Sequence, residues 1–337
     1  MSAPKKQKKT RLTWIRLGTW NVRTLCPGYG QPLTDTDQVR KTAVVDRELH
    51  RLGVSIAALQ ETRLADAGQL KERNYTFFWQ GLSAEDRRLH GVGFAVKNSL
   101  IHSITTPTAV SERISSLKLR LSHGQATLIS AYAPTLDADE DAKTKFYDEL
   151  SQVIDQVPTT DQVYLLGDFN ARVGTDHESW PDCLGLFGVG KMNANGLRLL
   201  ELCAQHQLCV SNTFFNLKDQ HKVSWQHLRS HHWHQLDMVL VRRVHLNTVN
   251  ITRSFHSADC QTDHVLVLTK TQLLQQKAHT PKPKAAKRLN THATKDQAKC
   301  VDFQQTLENK INEIDYRNLD NTDIMREKLR SAIYDSA

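Results

Sequence analysis

Between residues 12 and 270 short apolar runs alternate with amphipathic stretches, and no long linker separates them. That alternation confines the region to a single layered α/β domain. Strands are expected at Ile15 to Trp20, Val54 to Leu59, Val92 to Val96, Thr127 to Ala133, Val163 to Leu166, Leu236 to Val241 and Val265 to Leu268. Several of these runs are short and almost continuously apolar, as in strands covered on both faces, so two packed sheets with helices outside are expected. Within Ala142 to Val157, Phe146, Leu150, Val153, Ile154 and Val157 recur at three- and four-residue spacing until Pro158 stops the pattern, which marks an amphipathic helix. Gln38 to Leu52, ended by Gly53, and Gly196 to Leu208 carry similar stripes, with Asn195 expected as a helix cap and Gly196 as a turn residue.

After Leu274 the character changes. Thr280-Pro281-Lys282-Pro283-Lys284 opens an extended, self-repelling stretch. The expected organisation is a basic disordered leader at 1–11, a folded domain at 12–272, a basic Pro/Lys linker at 273–298 and a partly helical tail at 299–337, the remnant of something longer. In that tail Val301, Phe303, Leu307, Ile311 and Ile314 form one helical stripe, too small to build a stable core alone.

Lys plus Arg outnumber Asp plus Glu by 44 to 36, a net charge of +8, and the excess gathers at the ends: residues 1–34 and 265–295 contain no acid. Basic ends of this kind suit a polyanion, although solvated tails have the same composition. Six cysteines are scattered without a CxxC pair and read as reduced thiols. No run reaches the roughly 20 apolar residues that span a bilayer. The expected location is therefore nuclear or cytoplasmic, with no membrane partner, and Lys5-Lys6-Gln7-Lys8-Lys9 is a weak nuclear address.

Chemistry gathers at the strand ends. Tyr164-Leu165-Leu166-Gly167-Asp168-Phe169-Asn170 runs an apolar strand through a Gly turn into a carboxylate and then a carboxamide. Turn propensity alone accounts for that composition, but other strands also end in polar groups. Asn21 follows Trp20, Glu61 follows Leu59-Gln60, and Tyr132 precedes Pro134. Oxygens such as those of Asn21 and Glu61 suit a hard cation like Mg²⁺, which needs few protein carboxylates. Asp237 lies inside an apolar strand, where an unpaired charge is costly. His264 is its natural partner, because an imidazole oriented by a carboxylate becomes a directional donor or proton carrier. His227, His231, His232 and His234 lack the spacing of known zinc sites. A loop presenting Trp233 or a histidine to nucleic acid is the preferred reading there.

Trp20-Asn21, Leu59-Gln60-Glu61-Thr62, Tyr132-Ala133-Pro134, Gly167-Asp168-Phe169-Asn170, Leu236-Asp237 and Thr262-Asp263-His264 stand in the order of the endonuclease/exonuclease/phosphatase superfamily, which this sequence resembles. Within it the likeness is closest to the apurinic-type endonuclease domain of non-LTR (LINE) retrotransposons and to craniofacial development protein 2-like proteins. The resemblance implies a four-layer α/β sandwich and metal-assisted hydrolysis of phosphodiesters. On it, Asp168 activates water, Asn170 positions that water, and His264, oriented by Asp237, contacts the scissile phosphate with Tyr132. Glu61, helped by Asn21, holds Mg²⁺ or Mn²⁺, with Asp263 joining the metal shell.

Two departures bear on the substrate. Abasic-site repair enzymes of the superfamily carry an acid where this chain has Arg23, and an Asn where it has Thr135. General nicking of DNA by a retrotransposon-derived endonuclease, whether an element fragment or a domesticated copy, is therefore expected over repair, with Arg23 contacting a phosphate. The alternatives are a phosphatase or phosphodiesterase of the same fold acting on a lipid or small ester, and a non-catalytic nucleic-acid-binding or developmental protein. Protein partners cannot be read from these residues.

Overall fold

The computed structural model describes residues 14–26, 40–121, 124–273, 296–314 and 322–336. The leader expected at 1–11 and most of the linker expected at 273–298 lie outside them. The chain divides into two compact units, Met1–Gln276 and Lys277–Ala337.

In the larger unit the chain forms β1 (Trp14–Asn21), α1 (Lys41–Arg51), β2 (Ile56–Gln60), β3 (Ala67–Lys71), β4 (Tyr75–Gln80) and β5 (Val92–Lys97). It continues through β6 (Thr108–Ser111), β7 (Ile114–Leu121), β8 (Gly124–Tyr132), α2 (Glu140–Asp155), β9 (Gln162–Asp168) and α3 (Ala194–Gln205). The last strands are β10 (Leu208–Val210), β11 (Trp225–Gln226), β12 (Trp233–His234), β13 (Asp237–Arg242), β14 (Val249–Phe255) and β15 (Leu266–Gln272). One sheet runs β14-β15-β1-β2-β5-β4-β3, the other β10-β13-β9-β8-β7-β6, and β11 and β12 form a separate ribbon. Both large sheets are mixed: β1 and β2 are parallel in the first, β8 and β9 in the second, among antiparallel neighbours.

The hydrophobic clusters show why this is a four-layer α/β sandwich. Between the sheets, Leu17, Ile56 and Phe94 meet Leu128, Leu166 and Val239. On one outer face Val45 and Leu49 of α1 cover Leu59 and Phe77. On the other, Phe146 and Leu150 of α2 and Leu199 and Leu200 of α3 cover Leu165 and Met238. Adjacent Leu165 and Leu166 thus serve opposite faces, which is why such runs read as continuously apolar. Each buried side chain of this size contributes about 1.5–3 kcal/mol, and Leu166→Ala is expected to cost about 2–5 kcal/mol.

Of the strands outside the expected seven, β7 and β3 carry polar outward positions. In β7, Leu117 and Leu119 are buried between the less buried Lys118 and Arg120, and β3 is a largely exposed edge. The Gly turn expected at Gly167 is corrected: β9 runs on through Gly167 to Asp168. Gly167 is needed because a Cβ there would lie 2.2 Å from the Ala131 carbonyl oxygen.

In the smaller unit α4 (Gln297–Asn312) and α5 (Thr322–Ser336) contact each other, and Lys310 Nζ donates to the Asp335 carbonyl at 2.9 Å. No helix among the described residues is long and apolar enough to cross a membrane.

Candidate active site

Topology brings the polar strand ends to one rim. Parallel β1 and β2 both finish there, pairing Asn21 with Gln60 just before Glu61. Parallel β8 and β9 finish there too, pairing Tyr132 with Asp168. Antiparallel β13 starts at the same rim, with Asp237 opposite Asp168, and His264 lies just ahead of β15. Face-to-face packing then sets the two groups of side chains against each other. The chain leaves this rim through left-handed turns at non-glycine residues: φ is 59° at Arg23, 53° at Glu61 and 46° at Asn170. Such residues carry strain that the surrounding structure must offset.

Glu61 is the centre of one group. Its Oε1 accepts from Asn21 Nδ2 at 2.8 Å and from the Tyr132 hydroxyl at 2.9 Å, while Oε2 pairs with Arg63 at 2.5 Å. Asn21 Nδ2 also donates to Asp168 Oδ2 at 3.0 Å, so one amide spans two carboxylates. The Arg23 N–H occupies Asn21 Oδ1 at 2.9 Å. Asn21 therefore turns its NH₂, and not its oxygen, toward the acids. Burial first, then the nearby charges of Glu61 and Asp168, push the Tyr132 hydroxyl well above the ordinary phenol range, so it remains a donor.

Asp168, Asp237 and His264 form the other group, with only 1%, 0% and 8% of their surfaces exposed. His264 Nδ1 lies 2.9 Å from Asp237 Oδ2, and Nε2 lies 3.8 Å from Asp168 Oδ2. Burial raises the Asp168 carboxyl to about 7, with Asp237 adding to the rise and His264 opposing it. Burial acts against the charged imidazole of His264, but Asp237 and then Asp168 outweigh it and raise the ring to about 10. His264 is thus held between two acids that favour its charged form.

Asn170 follows on its left-handed turn. Its N–H donates to Asp168 Oδ1 at 3.0 Å, and its Nδ2 to the Ala133 carbonyl at 2.9 Å. The cap expected at Asn195 is corrected: Asn193 caps α3 by accepting from the Gly196 N–H at 2.8 Å. Asn195 Nδ2 instead donates to the carbonyls of Pro134 and Asn170, both at 3.1 Å, tying together the chain leaving β8 and β9.

The remaining expected residues lie around this centre. Asp263 Oδ2 accepts from Trp225 Nε1 at 3.2 Å. Arg23 is exposed, and Trp233 on the ribbon packs edge-on to His256 at 5.0 Å. His227 Nδ1 faces the backbone N–H groups of Arg229 and Ser230. Spacing gave no sign of Trp225, whose ring lies 6.3 Å from that of His264, of Ser224, whose hydroxyl accepts the Asp237 N–H at 3.0 Å, or of Arg113 and His90 behind Tyr132.

The donor chemistry fits a hard divalent cation. Glu61 and Asp168 bring carboxylate oxygens to one amide group, in a rim that can complete a shell with water or phosphate oxygens. Ligand atoms of Asp168, Asp237 and His264 also lie within 4.8 Å of one another. Protonated His264 lacks a free lone pair, so the carboxylates are the better donors at neutral pH.

The sequence matches the Endonuclease/Exonuclease/phosphatase family over residues 18–267, and the chain belongs to that family. It is 28% identical over 257 residues to craniofacial development protein 2 of Bos taurus, covering 76% of this chain and 41% of that protein. The chain thus spans about two fifths of that relative's length. The endonuclease domain of TRAS1, a telomere-specific non-LTR retrotransposon, superposes with a TM-score of 0.52 at 16% identity, covering 77% of this chain and 99% of that domain. The AP endonuclease LMAP from Leishmania major superposes with a TM-score of 0.55 at 14% identity, covering 77% and 88%. At these identities the solved structures establish a shared fold, one carried by nucleases.

Proposed function

We propose that the larger unit is a divalent-metal-dependent phosphodiesterase that nicks DNA. The observation that carries this reading is the rim where buried Asp168 faces the His264–Asp237 pair on one side and, through Asn21, Glu61 on the other. Asp168 is the general base: its raised carboxyl accepts a proton from the attacking water near neutral pH. Asn170, fixed through Ala133 and Asp168, orients that water. Protonated His264 aims its Nε2–H at the phosphate oxygens as charge develops, and the Tyr132 hydroxyl adds a second donor. Glu61 would hold Mg²⁺ or Mn²⁺, with Asn21 spacing it from Asp168 and with Asp263 beside His264. When bound, the cation neutralises charge on the phosphate and the leaving oxygen.

The net charge of +8 and the acid-free stretches at 1–34 and 265–295 favour a polyanionic substrate over a small ester. Arg23 and Trp233 are the proposed contacts to phosphate and base outside the centre. Purified protein is expected to convert supercoiled plasmid to the open circle with Mg²⁺ and to stop when EDTA is added. Duplex binding without any cutting would replace this reading with that of a binding protein, and release of phosphate from inositol lipids would replace it with the phosphatase.

A further inference from the structure

Beneath the rim, the apolar interface between the two sheets gives way to a polar layer. Alternate residues of a strand share a face, so the inward positions run Leu17, Thr19, Asn21 on β1, Ile56, Ala58, Gln60 on β2 and Leu128, Ser130, Tyr132 on β8. Leu17, Ile56, Ala58 and Leu128 belong to the inter-sheet core, while Asn21 and Tyr132 reach Glu61. Thr19, Gln60 and Ser130 lie at the junction, each with none of its surface exposed. The Thr19 hydroxyl donates to Gln60 Oε1 at 3.1 Å, Gln60 Nε2 donates to Ser130 Oγ at 3.2 Å, and the Ser130 hydroxyl donates to the Leu59 carbonyl at 3.3 Å. The last two bonds cross from one sheet to the other.

Polar side chains buried beside an apolar core are costly unless they are bonded, and apolar side chains of similar size would fill the same space. What apolar contact lacks is direction. It rewards burial however one sheet slides on the other, whereas hydrogen bonds hold a narrow range of lengths and angles. The distinction matters because the groups of the centre are divided between the sheets. Asn21 and Glu61 come from β1 and the chain just after β2; Tyr132, Asp168 and Asp237 come from β8, β9 and β13. Their spacing therefore follows the register of one sheet on the other, and a working site holds such spacing to about 0.5 Å.

We infer that Gln60 is a positioning residue: its carboxamide, held between Thr19 and Ser130, fixes the separation of Glu61 on one sheet from Asp168 and Tyr132 on the other. This rests on the nuclease reading and deepens it, by adding a buried clamp that touches neither substrate nor cation.

The test removes the layer without leaving one of its side chains unpaired, by combining Thr19→Val, Gln60→Leu and Ser130→Ala in the full chain. Replacing bonded partners together by apolar groups of like shape is nearly neutral, so the thermal midpoint is expected to stay within about 4 °C of the wild type. In the folded variant kcat for plasmid nicking is expected to fall about 10- to 100-fold with KM changed by less than about twofold. The Mn²⁺ dissociation constant, measured by calorimetry, is expected to rise about tenfold. Thr19→Ser, which keeps the hydroxyl, is expected to retain the wild-type rate, and Thr19→Val alone to lose about fivefold. That pair decides the matter if the combined variant does not fold. A folded combined variant with wild-type kcat and Mn²⁺ affinity, or equal rates for Thr19→Ser and Thr19→Val, overturns the clamp alone. Wild-type protein that binds Mn²⁺ but cuts no plasmid overturns the nuclease reading, and the Mn²⁺ constant of the combined variant then decides the clamp. Wild-type protein that neither binds Mn²⁺ nor cuts overturns both.

Discussion

On one side of the rim Glu61 reaches toward Arg63, Asn21 and Tyr132; on the other, Asp168 and Asp237 stand opposite each other on neighbouring strands with His264 between them. The first acid is met by Asn21 of β1, by Arg63 in the loop after β2 and by the Tyr132 hydroxyl of the other sheet. The second pair is fully enclosed, and its charge is offset by one imidazole that both acids need. Under the proposed function the difference becomes a division of labour: the Glu61 side would take the cation, and the Asp168 side would handle the proton.

The largest test of that division is Asp168→Asn. Loss of the general base is expected to cut plasmid nicking by about 10³- to 10⁴-fold. The carboxyl is raised in the folded state, so its ionisation at pH 7 opposes folding; this cost is absent below the ordinary carboxylate pKa of about 4. Removing the charge should therefore raise the thermal midpoint at neutral pH by about 2–4 °C. Lost activity with a lowered midpoint would show Asp168 to be structural.

His264→Ala is next, with an expected loss of about 10²- to 10³-fold in kcat. The pH profile follows from the same trio. Activity should rise as Asp168 ionises near pH 7 and fall as His264 loses its proton near pH 10, with both limbs belonging to the coupled group. Bound cation shifts the acid limb downward. A profile that is flat from pH 5 to pH 9 would break the comparison, since neither group would then titrate in the reaction.

The smallest effect is expected on the other side. Glu61→Gln should raise the Mn²⁺ dissociation constant, measured by calorimetry, by about 10- to 100-fold, while saturating metal restores much of the rate. If Glu61→Gln leaves metal affinity unchanged and Asp237→Asn weakens it, the cation belongs on the enclosed side and the two roles are reversed.

Much of the fold was legible because the central strands are apolar on both faces. The continuous runs around Ile56 to Leu59 and Val163 to Leu166 announce themselves. β14 did not, since Val249–Phe255 buries Thr252, whose hydroxyl donates to Thr269 Oγ1 at 2.9 Å, and Ser254, a burial that composition hides. At the site, Asp168, Glu61 and His264 were visible because a polar residue closing or preceding an apolar strand is conspicuous. Arg113, His90 and Asn195 were not, because each matters through a partner distant in sequence: Tyr132 for the first two, Asn170 and Pro134 for the third. The orientation of Asn21 was equally hidden, because it depends on one backbone N–H, that of Arg23, in a left-handed turn.

The pairing of β1 with β15 has a bearing on access to the rim. Trp14 lies opposite Gln272, so the chain enters and leaves on adjacent strands. Both crossings are at the ends of those strands remote from Asn21 and His264, a separation of roughly 20 Å at the usual rise per residue. The first described strand of the unit thus begins, and its last strand ends, on the side away from the chemistry, so neither strand end occupies the rim that holds Asn21 and His264.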